Sequence, residues 1–439
     1  MIVTSTRDPT LRTTFLEAAR RNAPSDGGLY LPLLGEGALM PFPDAADLLR
    51  LPWSERSVEI LARLLAPELT RGEVESMVAA ALDFPVVYRE IQPALAVLEL
   101  FHGPSLSFKD FGVRFLAQVL TWLRARAGDS APRIVLTATS GDTGAAVVHA
   151  FHRLPGFGAV VLYPAGRISP LQERQIATLG DNVLAFAVAG SFDDCQAMVK
   201  RAFADRELAG RLSLVSANSI HLARLLAQVT YYFEAAARAL PAAGDLPLVV
   251  AVPSGNFGNL CAGLLAQRLG APIATLVAAT NANRTVPDFL DGRLFAPRES
   301  VATLSNAMDV GAPNNWPRIE HLFGGDPAAL RAGLRWGSAD DRATRAALSA
   351  LGRLGYHADP HAAVAFDVLR RNLRAGEHGL FLATAHPAKF ATTRDATQAL
   401  PQSLREAAAR PLLAEPLAAD PAALRTRLFD LADRLDCRP

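Results

Sequence analysis

The chain has 439 residues, is 50% apolar and carries a formal charge of +1. That length allows two or three domains, and the balanced charge argues against nucleic acid or an acidic membrane surface as the main partner. Cys195, Cys261 and Cys437 are too scattered for a disulfide framework, and no C-x-x-C or Cys/His cluster suggests a metal site.

Residues 1–95 read as a mixed α/β segment. Phe15–Arg21 and Ser57–Leu65 look helical, with the turn-rich APSDGGLYLPLLGEG between them. MIVTSTRDPT lacks the basic-then-apolar pattern of a secretory signal, and no apolar run reaches about 18 residues, so a cytoplasmic protein is expected. From residue 96 short apolar runs alternate with amphipathic stretches. RIVLTA precedes Gly144–Arg153, AVVLY precedes Ser169–Leu179, and VLAFAV precedes Phe192–Phe203. After Ser219–Leu240 come LPLVVAV, Gly258–Leu269 and IATLVAAT. Helical stretches follow between 326 and 376, then the strand GLFLAT and an Ala/Leu/Arg/Pro-rich tail expected to be helical. The alternation predicts an α/β protein with parallel-rich sheets covered by helices. The expected spans are 1–95 packing on the larger domain, 96–240 with a smaller α/β domain, and 241–439 forming the larger domain and tail.

The charge pattern contains an anomaly. Of 44 basic residues only Lys109, Lys200 and Lys389 are lysine. An arginine stays protonated and is a poor nucleophile, whereas a lysine amine can lose its proton and form a Schiff base. Lys200, in QAMVKRAF, reads as the surface of an amphipathic helix. Lys109, in LSFKDFGVRF, follows a turn-rich stretch and opens an apolar helix over Phe111–Leu123. A helix N-terminus disfavours the protonated amine there.

Three turns stand where a strand hands over to a helix or loop. In VVAVPSGNFGNL the residues Ser254, Gly255, Asn256, Phe257, Gly258 and Asn259 can offer backbone N–H groups and a helix dipole to a phosphate, or form an ordinary tight turn. Neither the dinucleotide G-x-G-x-x-G nor a Gly-Lys Walker loop is present. In LTATSGDTGAA, Ser140, Gly141, Asp142, Thr143 and Gly144 suit a carboxylate, or simply cap a helix. In LFLATAHPAKF, Thr384 ends a strand, where ligands gather in open α/β sheets, with His386 and Lys389 following. A lysine, a phosphate turn and a carboxylate turn together suggest pyridoxal 5'-phosphate.

The segments GGLYLP, LELFHGPSLSFKDFG, LTATSGDTGAA, LYPAGRISPLQERQ, SANSIHLARLLAQ, VPSGNFGN, TLSNAMDVGAPNNWPR, PHAAVAF and GLFLATAHPAKF resemble the threonine synthase family along nearly the whole chain. The likeness is to its bacterial and fungal branch, which has a long N-terminal segment. It implies a two-domain, tryptophan-synthase-β-like α/β fold with the cofactor between the domains.

By that resemblance Lys109 is the cofactor lysine. Ser254, Gly255, Asn256, Phe257 and Gly258, with Asn259 beside them, hold the cofactor phosphate, and Thr384 faces the pyridine nitrogen. Asp142 stands where related enzymes commonly carry asparagine near the ring hydroxyl. Ser107, Ser140 and Thr143 become candidates for the substrate's carboxylate or phosphate, with Asn218 and Arg224 as weaker ones. The implied reaction converts O-phospho-L-homoserine and water into L-threonine and phosphate, by γ-elimination and β-addition of water. A monomer or weak homodimer acting on this small molecule is implied, without metal, nucleic acid or membrane. The alternatives are a hydroxy-amino-acid dehydratase, a β-replacement enzyme, or a non-catalytic binder of a phosphorylated metabolite.

Overall fold

A computed structural model describes the chain except residues 36–38, 129–132, 140, 394–398 and 437–439. In chain order the strands are β1 (Ile2–Ser5), β2 (Arg12–Thr14), β3 (Tyr30–Pro32), β4 (Val87–Gln92) and β5 (Leu95–Glu99). Then come β6 (Arg133–Ala138), β7 (Phe157–Pro164), β8 (Val183–Ala189), β9 (Ser213–Ser216) and β10 (Leu248–Pro253). The last four are β11 (Thr275–Thr280), β12 (Leu334–Ser338), β13 (His378–Ala383) and β14 (Glu415–Ala418).

The chain forms two compact units. One comprises Met1–Val119 and Ser219–Pro387, the other Leu120–Asn218 and Ala388–Pro439. The crossing points fall after residues 119, 218 and 387, whereas composition suggested breaks at 95 and 240. A contact-defined unit can be assembled from distant stretches, and nothing in local composition marks where the chain crosses.

In the first unit a six-stranded sheet runs β12-β11-β10-β13-β5-β4, beside a three-stranded antiparallel sheet β2-β1-β3. The large sheet is parallel except for the β4–β5 pair. Its central runs (LVVAVP, TLVAAT, HGLFLA and LAVLE) are buried on both faces almost throughout, as strands covered by helices must be. Val97, Val249, Val277 and Phe381 pack with Val364, Phe366 and Val368 of the helix Pro360–Asn372. Burial of such a side chain is worth roughly 1.5–3 kcal/mol.

The second unit holds a fully parallel five-stranded sheet, β14-β8-β7-β6-β9. Ile134, Leu136, Val160, Leu162 and Val188 pack there with Cys195 and Met198 of the helix Phe192–Ala204. Lys200 lies on the exposed side of that helix.

Two strands depart from the sequence expectation. β12, LRWGS, lies inside the stretch read as helical, and β14, EPLA, lies in the tail read as helical. Both are edge strands with polar or proline-containing sequences, so pairing with a neighbour rather than local propensity makes them strands. Among the described residues no helix is long and apolar enough to cross a membrane.

Candidate active site

In the first unit β10, β13 and β5 are neighbours and run parallel. Their C-terminal ends therefore deliver three loops to one edge of one sheet, the place where ligands collect in open α/β sheets. Ser254–Asn259 follows β10, Thr384 follows β13, and the segment leading to Lys109 follows β5.

The segment before Lys109 is pinned to the one after β13. Leu100 N–H donates to Ala383 O at 2.9 Å, Phe108 N–H to Thr384 O at 2.9 Å, and His386 N–H to Leu106 O at 3.1 Å. Ser107 bridges Ala385, and its Oγ accepts from Lys109 N–H at 3.3 Å. Leu106 adopts the left-handed region with φ 56° in a turn closed by its N–H to Gly103 O. A bulky residue held in that region marks a backbone constrained by its surroundings. The helix then runs Lys109–Arg126, starting two residues earlier than the apolar pattern suggested. Lys109 is half-buried, with Nζ 5.4 Å from the Phe108 ring centre. Asp110 is fully buried, and its Oδ2 accepts from Ser105 N–H at 2.9 Å.

The loop after β10 is a backbone cradle. Phe257 is left-handed at φ 58°, ψ 8° and precedes the helix Gly258–Arg268, so amide groups converge at the positive end of an 11-residue helix. Gly255 allows a close approach: a Cβ there would lie 2.7 Å from Met308 Cα and 3.2 Å from Ala307 O. Ser254 N–H is spent on Ala279 O at 2.7 Å. Asn256 braces the loop sideways. Its Nδ2 donates to Ser219 Oγ, its Oδ1 accepts from Asn314 N–H, and its carbonyl accepts from Asn315 Nδ2 at 3.1 Å. Asn259 is buried; its Oδ1 accepts from Tyr231 Oη at 2.6 Å and lies 2.7 Å from Tyr232 Oη. Its Nδ2 donor has no partner among the described residues.

Two supporting groups were invisible as such in the sequence. Arg318 is fully buried, and burial pushes its guanidinium down to about 10. It donates to Tyr30 O at 2.9 Å, Asn315 Oδ1 at 2.6 Å and Ile220 O at 2.6 Å, fixing the asparagine that braces Asn256. The second group is centred on Asp309. Burial raises this carboxyl to about 6, while hydrogen bonds from Thr303 and Asn281 oppose the rise. Asn281 Nδ2 and Thr303 Oγ1 each donate to its Oδ1 at 2.7 Å, next to the Met308 backbone that faces Gly255. Both groups lie in or contact TLSNAMDVGAPNNWPR, a stretch whose motif was legible but whose target was not.

Arg224 is buried in the first turn of the helix Leu222–Ala243, and burial pushes it down to about 10. The capping residue, His221, is also buried. Its Nε2 donates to Ala19 O at 3.0 Å and its Nδ1 accepts from Ala223 N–H at 3.2 Å, which fixes the neutral tautomer. Burial pushes this imidazole down to about 4.

The remaining candidates belong to the second unit. Thr139 Oγ1 accepts from Gly141 N–H at 3.0 Å and Gly144 N–H at 2.8 Å, organising the turn that opens the helix Asp142–Phe151. The N-cap position is Gly141, and the N–H of Gly144 in the first helical turn is taken by Thr139 Oγ1. Asp142 is buried and its Oδ1 meets Lys389 Nζ at 2.6 Å, an ion pair that sequence spacing could not reveal. Thr143 is half-buried, and Asn218 is exposed beyond β9. Ser140 lies outside the described residues.

Residues 85–384 match the family model described as pyridoxal-phosphate dependent enzyme. The chain is 48% identical over 429 residues to the threonine synthase of Escherichia coli strain K12, covering 97% of this chain and 98% of that protein. The crystal structure of threonine synthase from Escherichia coli superposes with a TM-score of 0.90 at 47% identity, over 98% of this chain and 100% of the other. A pyridoxal-phosphate-bound threonine synthase from Brucella melitensis gives 0.89 at 32% identity, over 98% and 99%.

Proposed function

This chain belongs to the pyridoxal-phosphate dependent enzymes and, among them, to the threonine synthases, and on that premise we propose that it converts O-phospho-L-homoserine and water into L-threonine and phosphate. The observation that carries the reading is the delivery of Lys109, the Ser254–Asn259 loop and Thr384 to the ends of three adjacent parallel strands within one unit. The residues fit the cofactor. The loop offers helix-terminal amides and the buried Asn259 Nδ2, a donor without a partner among the described residues. No carboxylate belongs to that loop, so nothing within it opposes a phosphate dianion.

In this reading Lys109 makes the covalent link to the cofactor. Ser254, Gly255, Asn256, Phe257, Gly258 and Asn259 take its phosphate, and Thr384 takes its ring nitrogen. Threonine's neutral hydroxyl does not force that nitrogen to stay protonated, as a carboxylate would. When bound, the cofactor supplies an electron sink that stabilises negative charge at the substrate's α-carbon. Lys109 Nζ would hold the cofactor and, as a free amine beside the substrate, would be the base that takes the α-proton. The same amine can shuttle protons at the β- and γ-carbons as phosphate leaves and water adds. A guanidinium could do none of this at neutral pH, which explains a lysine in a chain that otherwise prefers arginine. Ser107, Ser140 and Thr143 are the candidates for the substrate's carboxylate or phosphate, with Asn218 and Arg224 as weaker ones, and Asp142 is assigned to the cofactor's ring hydroxyl.

The test is release of inorganic phosphate from O-phospho-L-homoserine with an equal amount of threonine. Turnover of L-serine or L-threonine to a keto acid, without reaction of the phosphorylated substrate, would instead select the dehydratase alternative.

A further inference from the structure

Lys389, the third lysine, is 1% exposed and has no role in the chemistry above. Its surroundings form a closed ring of contacts within the second unit. Its Nζ lies 2.6 Å from Asp142 Oδ1, which also accepts from Gln172 Nε2 at 2.9 Å. Gln172 is clamped by Ser169: Gln172 N–H donates to Ser169 Oγ at 3.2 Å, and Ser169 N–H donates to Gln172 Oε1 at 3.2 Å. Ser169 Oγ closes the ring by donating to the Lys389 carbonyl at 3.0 Å. Lys389 is thus held at its backbone and at its ammonium.

This ring grips the Gly141–Gly144 turn. Gly141 has φ 136°, and a Cβ there would sit 2.6 Å from Gln172 Nε2, so the turn backs directly onto the amide that orients Asp142. Asp142 is the first residue of its helix, where the dipole favours a carboxylate. A buried carboxylate in a turn meant for an anion nevertheless creates a conflict, since like charges brought together without water repel strongly. Lys389 would relieve that conflict, because its ammonium makes the pair neutral at the first residue of the helix.

We propose that Lys389 is a positioning residue that neutralises and orients Asp142, so that the Gly141–Gly144 turn can accept the anionic substrate. The proposal rests on the phosphohomoserine reading for the identity of that anion. The ion pair itself does not depend on it.

The test compares K389M, the double variant D142N/K389M and the surface control K200M with the wild-type holoenzyme. Steady-state turnover of O-phospho-L-homoserine and thermal unfolding are both measured. K389M removes the ammonium from a buried carboxylate that keeps only neutral donors such as Gln172, so KM is expected to rise about 100-fold while kcat changes less than about threefold. Its thermal midpoint should fall by on the order of 5 °C. The double variant carries neither charge and should recover most of both losses, while K200M alters neither. A KM in the double variant as high as in K389M would overturn the proposal, because Lys389 would then act other than through Asp142. An unchanged KM in K389M would overturn it equally. Should K389M fail to fold, the double variant decides by its stability: folding with a thermal midpoint near wild type supports the pairing, and failing to fold as K389M does refutes it. Wild-type protein that releases no phosphate would remove the proposed reaction, and the thermal comparison would still read the ion pair.

Discussion

The two glycine-containing turns solve the same electrostatic problem in opposite ways. The loop after β10 is built from backbone amides, a left-handed Phe257 and neutral braces (Asn256, Asn315 and Ser219), with no ionised side chain in the cradle. The turn after β6 contains Asp142 and needs Lys389 to cancel it. A site that holds a bound phosphate gains from fixed dipoles that cost no reorganisation. A site whose anionic ligand comes and goes can carry a neutral ion pair whose geometry sets the turn.

The largest effect that would sharpen this contrast is at Lys109, which serves the first unit's site. Lys109→Arg should abolish the visible absorbance of the lysine-linked cofactor and lower turnover about ten-thousand-fold or more. Lys200→Arg should leave both unchanged, and spectra with initial rates check the pair. Next comes Gly255→Ala. Its added Cβ meets backbone rather than a yielding side chain, so the loop or the Met308 segment must shift. A stability loss of about 1–3 kcal/mol is expected, with weaker cofactor binding, measurable by urea unfolding and cofactor titration. A wild-type cofactor affinity would show that the loop tolerates displacement and is less fixed than its bracing suggests.

A pH effect of similar size is expected at His221, which caps the helix carrying Arg224, Tyr231 and Tyr232. The unfolded imidazole takes a proton near 6.5, and the folded one only near 4. Between those values the unfolded chain binds more protons, so stability is lost as pH falls from about 6.5 towards 4. Above 6.5 both states are neutral and the contribution is constant. The loss at the acid end should be on the order of 3 kcal/mol. Unfolding at pH 7 and pH 5 should show a smaller pH difference in His221→Gln. An equal difference would place the acid sensitivity elsewhere. An effect no larger than these is expected at Asn259→Ala, which leaves the Tyr231 and Tyr232 hydroxyls short of their shared acceptor. It should cost about 1–3 kcal/mol by the same unfolding assay.

Much of this was legible along the chain. The central strands are apolar runs because both faces are covered, and such runs can be read without knowing their order. Lys109 stood out because its chemical type broke a compositional habit, and the turn PSGNFGN because a glycine-containing strand-to-helix junction offers backbone amides and a helix dipole to a phosphate. The edge strands β12 and β14 were missed because pairing made them strands, and β12 sits between two helices. Arg318 and Asp309 were missed as supports because burial and partners define them, and neither is written in a residue's near neighbours.

Lys389 marks the boundary most clearly. The sequence by itself determined that lysine was kept at three places and that two of them flank glycine-containing or strand-ending turns. It could not determine that Lys389 and Asp142, 247 positions apart in the chain, share a 2.6 Å contact. Local sequence sets which backbone shapes and charges are available within a few residues. Only the tertiary fold decides which buried charges meet, because each buried charge needs a partner brought from elsewhere in the chain.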